Sequence, residues 1–264
     1  YQQDEVLVPF PRGKLGLDED SHSSRVSFAN KRMELDYRVQ GRNRKLKLNM
    51  PEMQIREVPG LRAELEFTSG EQDQSMNIAS DWAEKPTAFY YNRKLNSLNV
   101  DGTVVLGSGD QAERIKFDCE NSYGGLDWGR GNWTYRNRWY WASANGRVDG
   151  HDFGMNLGYG FGDRRCASEN AVCFAGRLNK IDELVFPFNE TDYLQPWETT
   201  SRDGRLQLRF SPLLDRHSTS NLLVIRSVQH QVFGSFTGSC QLDDGRTLRF
   251  ENVLGFAEDV YNRF

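Results

Sequence analysis

Tyr123–Gly160 reads YGGLDWGRGNWTYRNRWYWASANGRVDGHDFGMNLGYG, and it holds four of the six tryptophans, at positions 128, 133, 139 and 141. Asp127, Arg130, Arg136 and Arg138 stand among the rings, with glycines at 124, 125, 129 and 131. On a strand, side chains two apart share a face, so Trp139 and Trp141 point one way and Tyr140 the other. Flat apolar surface with a few charges and a permissive backbone lines a ligand cavity, or forms a packed belt where two sheets meet. Both readings stand at this point, and both require strands.

Outward from that stretch the same period of two recurs. Leu35, Tyr37 and Val39 alternate with charged neighbours, as do Leu61, Ala63, Leu65 and Phe67, and later Leu206, Leu208 and Phe210. Each run has one apolar and one wet face, the pattern of antiparallel sheet. Gln40-Gly41, Asp101-Gly102, Asn145-Gly146, Asp149-Gly150, Asp203-Gly204 and Asp244-Gly245 supply the positive φ angles of tight hairpin turns. Arg42-Asn43-Arg44-Lys45 reads as a solvated turn beside Gly41. Helical periodicity is confined to Asn77–Trp82 and Gly255–Asn262. Short strands with even turn spacing predict an all-β barrel or sandwich.

The 264 residues suffice for one large β domain or two of about 130 residues. Lys+Arg 33 against Asp+Glu 37 gives a formal charge of −4 with no long block of one sign, so no nucleic-acid partner is expected. No apolar run approaches the ~20 residues of a membrane helix, so no integral membrane segment is expected. The first residue is Tyr1 rather than Met, which leaves a removed leader open; a reduced, cytoplasmic setting is the expectation. Cys119, Cys166, Cys173 and Cys240 are scattered and read as buried free thiols, with Cys166 and Cys173 the one pair able to face each other. Neither they nor the four histidines have metal-ligand spacing, and no metal or other cofactor is expected. His230 reads as a hydrogen-bonded structural histidine, and His217 as a loop residue.

Hydrolase elbows, phosphate loops and dinucleotide fingerprints are missing; Gly158-Tyr159-Gly160-Phe161-Gly162 sits in a strand-like alternation and reads as close strand packing. The suggestive residues are charges in apolar context: Asp127 and Arg130 around Trp128, Glu169 before Ala171–Phe174, and Glu258-Asp259 after Phe256. A carboxyl beside Trp in a dry cavity has a raised pKa and can act as a general acid. A buried ion pair between Asp127 and Arg130 explains the same residues. Aromatics with paired carboxylates also suit a glycosidase.

Several stretches resemble domain-of-unknown-function family 2804. They include Tyr91-Asn92-Arg93-Lys94, Leu126-Asp127-Trp128-Gly129-Arg130-Gly131, Trp139-Tyr140-Trp141-Ala142-Ser143, Asn156–Asp163, Gly176–Glu183 and Leu254–Asp259. The resemblance spans the chain and is specific from about residue 90 onward. It implies kinship with two-barrel lipocalin-like hydratases and cyclases: two calycin-like antiparallel β-barrel domains side by side, residues 1–125 (open to being incomplete at its start) and 126–264. It implies a lipophilic small-molecule partner only weakly, since one fold hosts many functions.

The candidate catalytic residues are Asp127, Arg130 and Glu169, and the candidate ligand-binding residues are Trp128, Trp139, Trp141, Asn156 and Tyr159. The functions in view are a cofactor-independent acid-catalysed isomerase, cyclase or hydratase, a non-catalytic carrier of hydrophobic ligands, and a structural interaction protein with a filled cleft. Oligomeric state is not written in the sequence.

Overall fold

The computed structural model describes Leu15 and residues 25–55, 58–165, 168–222 and 224–263. Among them the chain is all-β, as the alternation requires: sixteen strands in antiparallel sheets and one 3-10 turn, Gly109–Gln111. No helix of the described residues is long and apolar enough to cross a membrane. The chain divides into two compact units, residues 1–71 with 98–124, and 72–97 with 125–264.

In the first unit β1 (Arg25–Ala29), β2 (Glu34–Gln40), β3 (Asn43–Ile55) and β4 (Val58–Thr68) form a meander. β5 (Met76–Trp82) belongs to the second unit, and β6 (Lys85–Leu106) passes from the second unit into the first within one strand. There β6 pairs β4 and β7 (Glu113–Phe117). Register aligns Phe28, Leu35, Leu48, Ala63, Val104 and Ile115 in one row and Ser27, Asp36, Lys47, Glu64 and Thr103 in another. The polar row carries cross-strand ion pairs, Lys47–Glu64 at 3.3 Å and Arg25–Asp36 at 3.1 Å. Among this unit's described hydrophobic side chains only Met50, Ala63, Leu98 and Val100 are fully buried. A wide open hollow of about 780 Å³ is lined by residues of both rows, Phe28, Leu35, Leu48 and Ala63 as well as Asp36, Lys47 and Glu64.

The turn at Gly41 forms as expected, with φ +61°. The basic stretch after it is not wholly solvated: Arg44 is buried, because register sets it opposite Val39 and Phe67 in an apolar row. Asp101-Gly102 does not turn at all. It lies inside β6, where a Cβ on Gly102 would stand 2.1 Å from the Glu64 carbonyl oxygen. That glycine is demanded by close strand approach, not by a bend.

The second unit is built on β8 (Tyr123–Asn132), β9 (Arg136–Val148), β10 (His151–Tyr159), β11 (Ala171–Phe174), β12 (Arg177–Lys180), β13 (Trp197–Thr200), β14 (Leu206–Leu222), β15 (Ile225–Gln241) and β16 (Thr247–Arg263). Eight of these make one sheet in the order β12-β11-β10-β9-β16-β15-β14-β13. Both predicted helices are strands, β5 and part of β16; strand partners on both sides of β16 outweigh a weak helical period. Asp149-Gly150 and Asp244-Gly245 turn their hairpins with positive φ, and Gly204 turns before β14. One face of the sheet is filled by Phe153, Phe210, Phe236, Phe250, Met155 and Leu157, all essentially without solvent contact.

Across the opposite face runs the first half of β6. Asn96 Nδ2 donates to Ser143 Oγ and Asn145 Oδ1, both at 3.1 Å, and the Ser97 N–H donates to Asn145 Oδ1 at 2.7 Å. Gly154 makes room for this crossing, since a Cβ there would come 2.3 Å from that of Asn96. Asn145-Gly146 is therefore a docking point within β9 rather than a turn. Gly158 ends β10 in extended form, but Gly160 and Gly162 have φ of +91° and +74° and belong to the turn beyond it. Cys173 and Cys240 are buried free thiols, pushed up to about 12 and about 11 by desolvation. Cys119 is exposed, against expectation, on a turn held by its N–H bond to Asp101. Cys166 lies outside the described residues.

Candidate functional site

The crossing of β6 over the β9–β10–β16 face leaves a cavity of about 150 Å³ in the second unit. Strand alternation builds its floor. Trp139 and Trp141 project from β9 on one side while Tyr140 turns to the other and stacks on Tyr159, ring centroids 4.5 Å apart. Glu258, paired with Trp141 in the β16–β9 register, projects on the same side as Trp141. Tyr90 and Lys94 come from β6, Asp127 from β8, and Trp133, Phe161 and Glu169 from connecting segments. Phe161 is the hub of the rings, edge-on to Trp82, Tyr90, Trp133 and Trp139 at 4.9 to 5.4 Å.

Lys94 is the electrostatic centre. Its side chain is 6% exposed, and Nζ lies 3.0 Å from Glu169 Oε2, 3.7 Å from Asp127 Oδ2 and 3.8 Å from the Trp141 ring centroid. Gly158 beneath lets Glu169 approach: a Cβ there would meet the carboxyl at 3.2 Å. Asp127 sits at the mouth with 37% of its side chain exposed. Desolvation raises its pKa, the Lys94 charge pulls it back, and the Glu169 charge pushes it up again; the net shift is upward. Glu258 is likewise raised by burial, against hydrogen bonds from Trp139 Nε1 at 2.9 Å and Gln231 Nε2 at 3.1 Å. Burial, with the negative charge of Asp127 and Glu169, raises the Tyr90 hydroxyl well above its ordinary value. This is a ring-walled space, open at Asp127, in which a carboxyl can hold or release a proton.

Of the residues singled out from sequence, Asp127, Trp139, Trp141 and Glu169 line the cavity together. Asn156 stands behind them: it accepts from Trp141 Nε1 at 2.6 Å, donates to the Glu169 carbonyl at 2.8 Å, and so fixes both. Trp128 packs edge-on to Tyr91, and neither it nor the exposed Arg130 is among the lining residues. Tyr159 faces the filled core instead, its hydroxyl accepting from the Phe186 N–H at 3.0 Å. The ammonium beside Asp127 is that of Lys94. Lys94 and Tyr90 were missed, and Glu258 had only its apolar context as a signal.

A second titratable group lies elsewhere in the unit. His230 Nδ1 is 2.7 Å from Asp215 Oδ2, and its ring stacks on Tyr193 at 3.9 Å, the structural role expected of it. His217 is not in a loop; it lies in β14, stacked on His230 at 4.3 Å because the two are register partners. Among the described residues no group of three or more His, Cys, Asp or Glu is placed to hold a metal ion.

Comparison with known proteins gives a fold and a family. The family described as Domain of unknown function (DUF2804) matches residues 1–264. No curated protein matches the sequence. Among solved structures, an AttH-like protein of Nitrosomonas europaea (NE1406) aligns with a TM-score of 0.50 at 15% identity, covering 89% of this chain and 68% of its own. CghA, solved with Sch210972, aligns with a TM-score of 0.51 at 10% identity, covering 94% of this chain and 72% of its own. At such identities the likeness is one of fold.

Proposed function

Because the chain belongs to the DUF2804 family, whose fold is shown and whose reaction is not, we propose a function from the cavity itself. The cavity receives one end of a small lipophilic molecule, and Asp127 protonates an alkene or enol held at its mouth. The protein is then a cofactor-independent isomerase, cyclase or hydratase. The observation that carries this reading is a carboxyl of raised pKa at the mouth of an aromatic-walled cavity that also contains Lys94.

Volume limits the ligand. An apolar cavity of about 150 Å³ holds a benzene-sized group, so anything larger must project through the mouth past Asp127. Roles divide by hydrogen bonding. Burial raises Glu258, hydrogen bonds from neutral donors to both its oxygens oppose that, and a positive charge beside it would draw it to the carboxylate. Glu169 and Asn156 position Lys94 and Trp141. CghA, similar in fold, was solved with Sch210972, which supports the reading at the level of fold alone.

A carrier would use the same cavity without the proton transfer. The closeness of Lys94 to Glu169 favours a purely structural reading, in which the charges satisfy each other. Mass spectrometry of molecules that copurify with the native protein and with Asp127→Asn separates the three. A product with the wild type and its precursor with the variant is the expected result. One identical molecule with both would make the protein a carrier, and none with either would leave the structural reading.

A further inference from the structure

The charges lining the cavity do not balance. Lys94 is the one ammonium among the lining residues, facing three carboxyls, Asp127, Glu169 and Glu258. Glu169 takes it most closely, at 3.0 Å, with Asp127 at 3.7 Å. Glu258 feels the Lys94 charge without pairing directly with it, and its two oxygens accept from Trp139 and Gln231, which are neutral donors. Such donors satisfy geometry without cancelling charge, and each carboxylate oxygen keeps a further lone pair.

The rest of the wall is aromatic. Ring faces are negative and attract cations, most strongly those of Trp. Lys94 shows this attraction at work here, its Nζ 3.8 Å from the Trp141 centroid. The whole cavity is about 150 Å³, and Trp133, Trp139, Trp141, Phe161 and Glu258 line it together with Lys94. A trimethylammonium group is no larger than the benzene that such a volume holds. Arg164 and Lys180, behind the wall, also act on Glu169, so the carboxyl left with most capacity for a further cation is Glu258.

We propose that this cavity recognises an organic cation: a lipophilic molecule bearing a compact tertiary or quaternary ammonium group, with Glu258 as counter-ion and the tryptophans as its cage. This rests on the reading of the cavity as a small-molecule site and names the substrate class. Burial raises Asp127 and Glu258 while the Lys94 charge lowers both, and a bound cation would draw them further toward the carboxylate.

Two probes of the same shape test it, choline and its neutral isostere 3,3-dimethylbutan-1-ol, titrated by tryptophan fluorescence and calorimetry at constant ionic strength. Choline is expected to bind about tenfold more tightly, the span of a desolvated cation–aromatic contact with a carboxylate nearby. Glu258→Gln is expected to abolish that advantage, read as the ratio of the two affinities. Equal or tighter binding of the alcohol would overturn the cation and leave the apolar site intact. Binding of neither probe would overturn both readings. A choline advantage that survives Glu258→Gln would overturn the role of Glu258. Should that variant not fold, the wild-type ratio of the two affinities still decides the substrate class.

Discussion

The two units share strand chemistry and hairpin turns, yet they spend their apolar side chains differently. In the first, the row Phe28, Leu35, Leu48 is half-buried, and ion pairs such as Lys47–Glu64 hold the other face. In the second, Phe153, Phe210, Phe236 and Phe250 fill one face completely, and the opposite face carries the cavity. A chemical site needs side chains that cannot relax, and only the packed unit supplies that backing. The same alternation of apolar and polar residues thus gives a thin sheet in one place and a rigid platform in the other.

The sharpest way to break this contrast is truncation on each side of it. Phe236→Ala should cost about 3–5 kcal/mol in urea unfolding, as expected of a large core side chain. Leu48→Ala in the first unit should cost well under half as much, because its surroundings already admit solvent. Equal losses would dissolve the distinction.

Lys94→Met tests the platform at its charged point. It leaves Glu169 buried without its ammonium, and about 3–5 kcal/mol of destabilisation is expected. Adding Glu169→Gln should restore part of that loss in the same urea assay. Asp127→Asn, at the mouth, should stay within about 1 kcal/mol of wild type while changing the chemistry of whatever binds. A larger loss would make Asp127 a structural partner of Lys94.

The pH dependence should have opposite signs in the two units. Asp127 and Glu258 are raised by burial, so the folded chain holds their protons where the unfolded chain has lost them. Their contribution is full below the ordinary carboxylate range and is lost as pH rises through the raised values. Asp36 is lowered by its hydrogen bonds to Arg38 and Arg25, so its contribution is present above the ordinary range and fades as pH falls through the lowered value. Glu258→Gln should flatten the decline on raising pH, read from melts between pH 4 and 8. Asp36→Asn, at a solvated surface, should lower the midpoint at neutral pH only slightly and remove the loss on acidification that Asp36 causes.

Much of this fold was legible. Period-two alternation and the turns at Gly41, Asp149-Gly150 and Gly204 identified strands correctly. Gly102 and Gly146 misled because a glycine required by a neighbouring strand looks, in sequence, like one required by a bend. The site was legible where it is local: Trp139 and Trp141 share a face because they are two apart. It was not legible across the chain. Trp139 and Glu258 are separated by 119 positions, and only register brings them together. Lys94 lay in plain view in Tyr91-Asn92-Arg93-Lys94, but nothing in that run says which carboxyls it will meet.

β16 follows every other strand of its sheet in sequence, yet it lies between β9 and β15. While the chain is being made, β12-β11-β10-β9 and β15-β14-β13 therefore exist as two fragments, each with a naked edge waiting for the same late strand. Unpaired edges invite pairing with other chains. Until Thr247–Arg263 is in place both of those edges stay open, and a deletion within it would act on the seam that joins the two half-sheets.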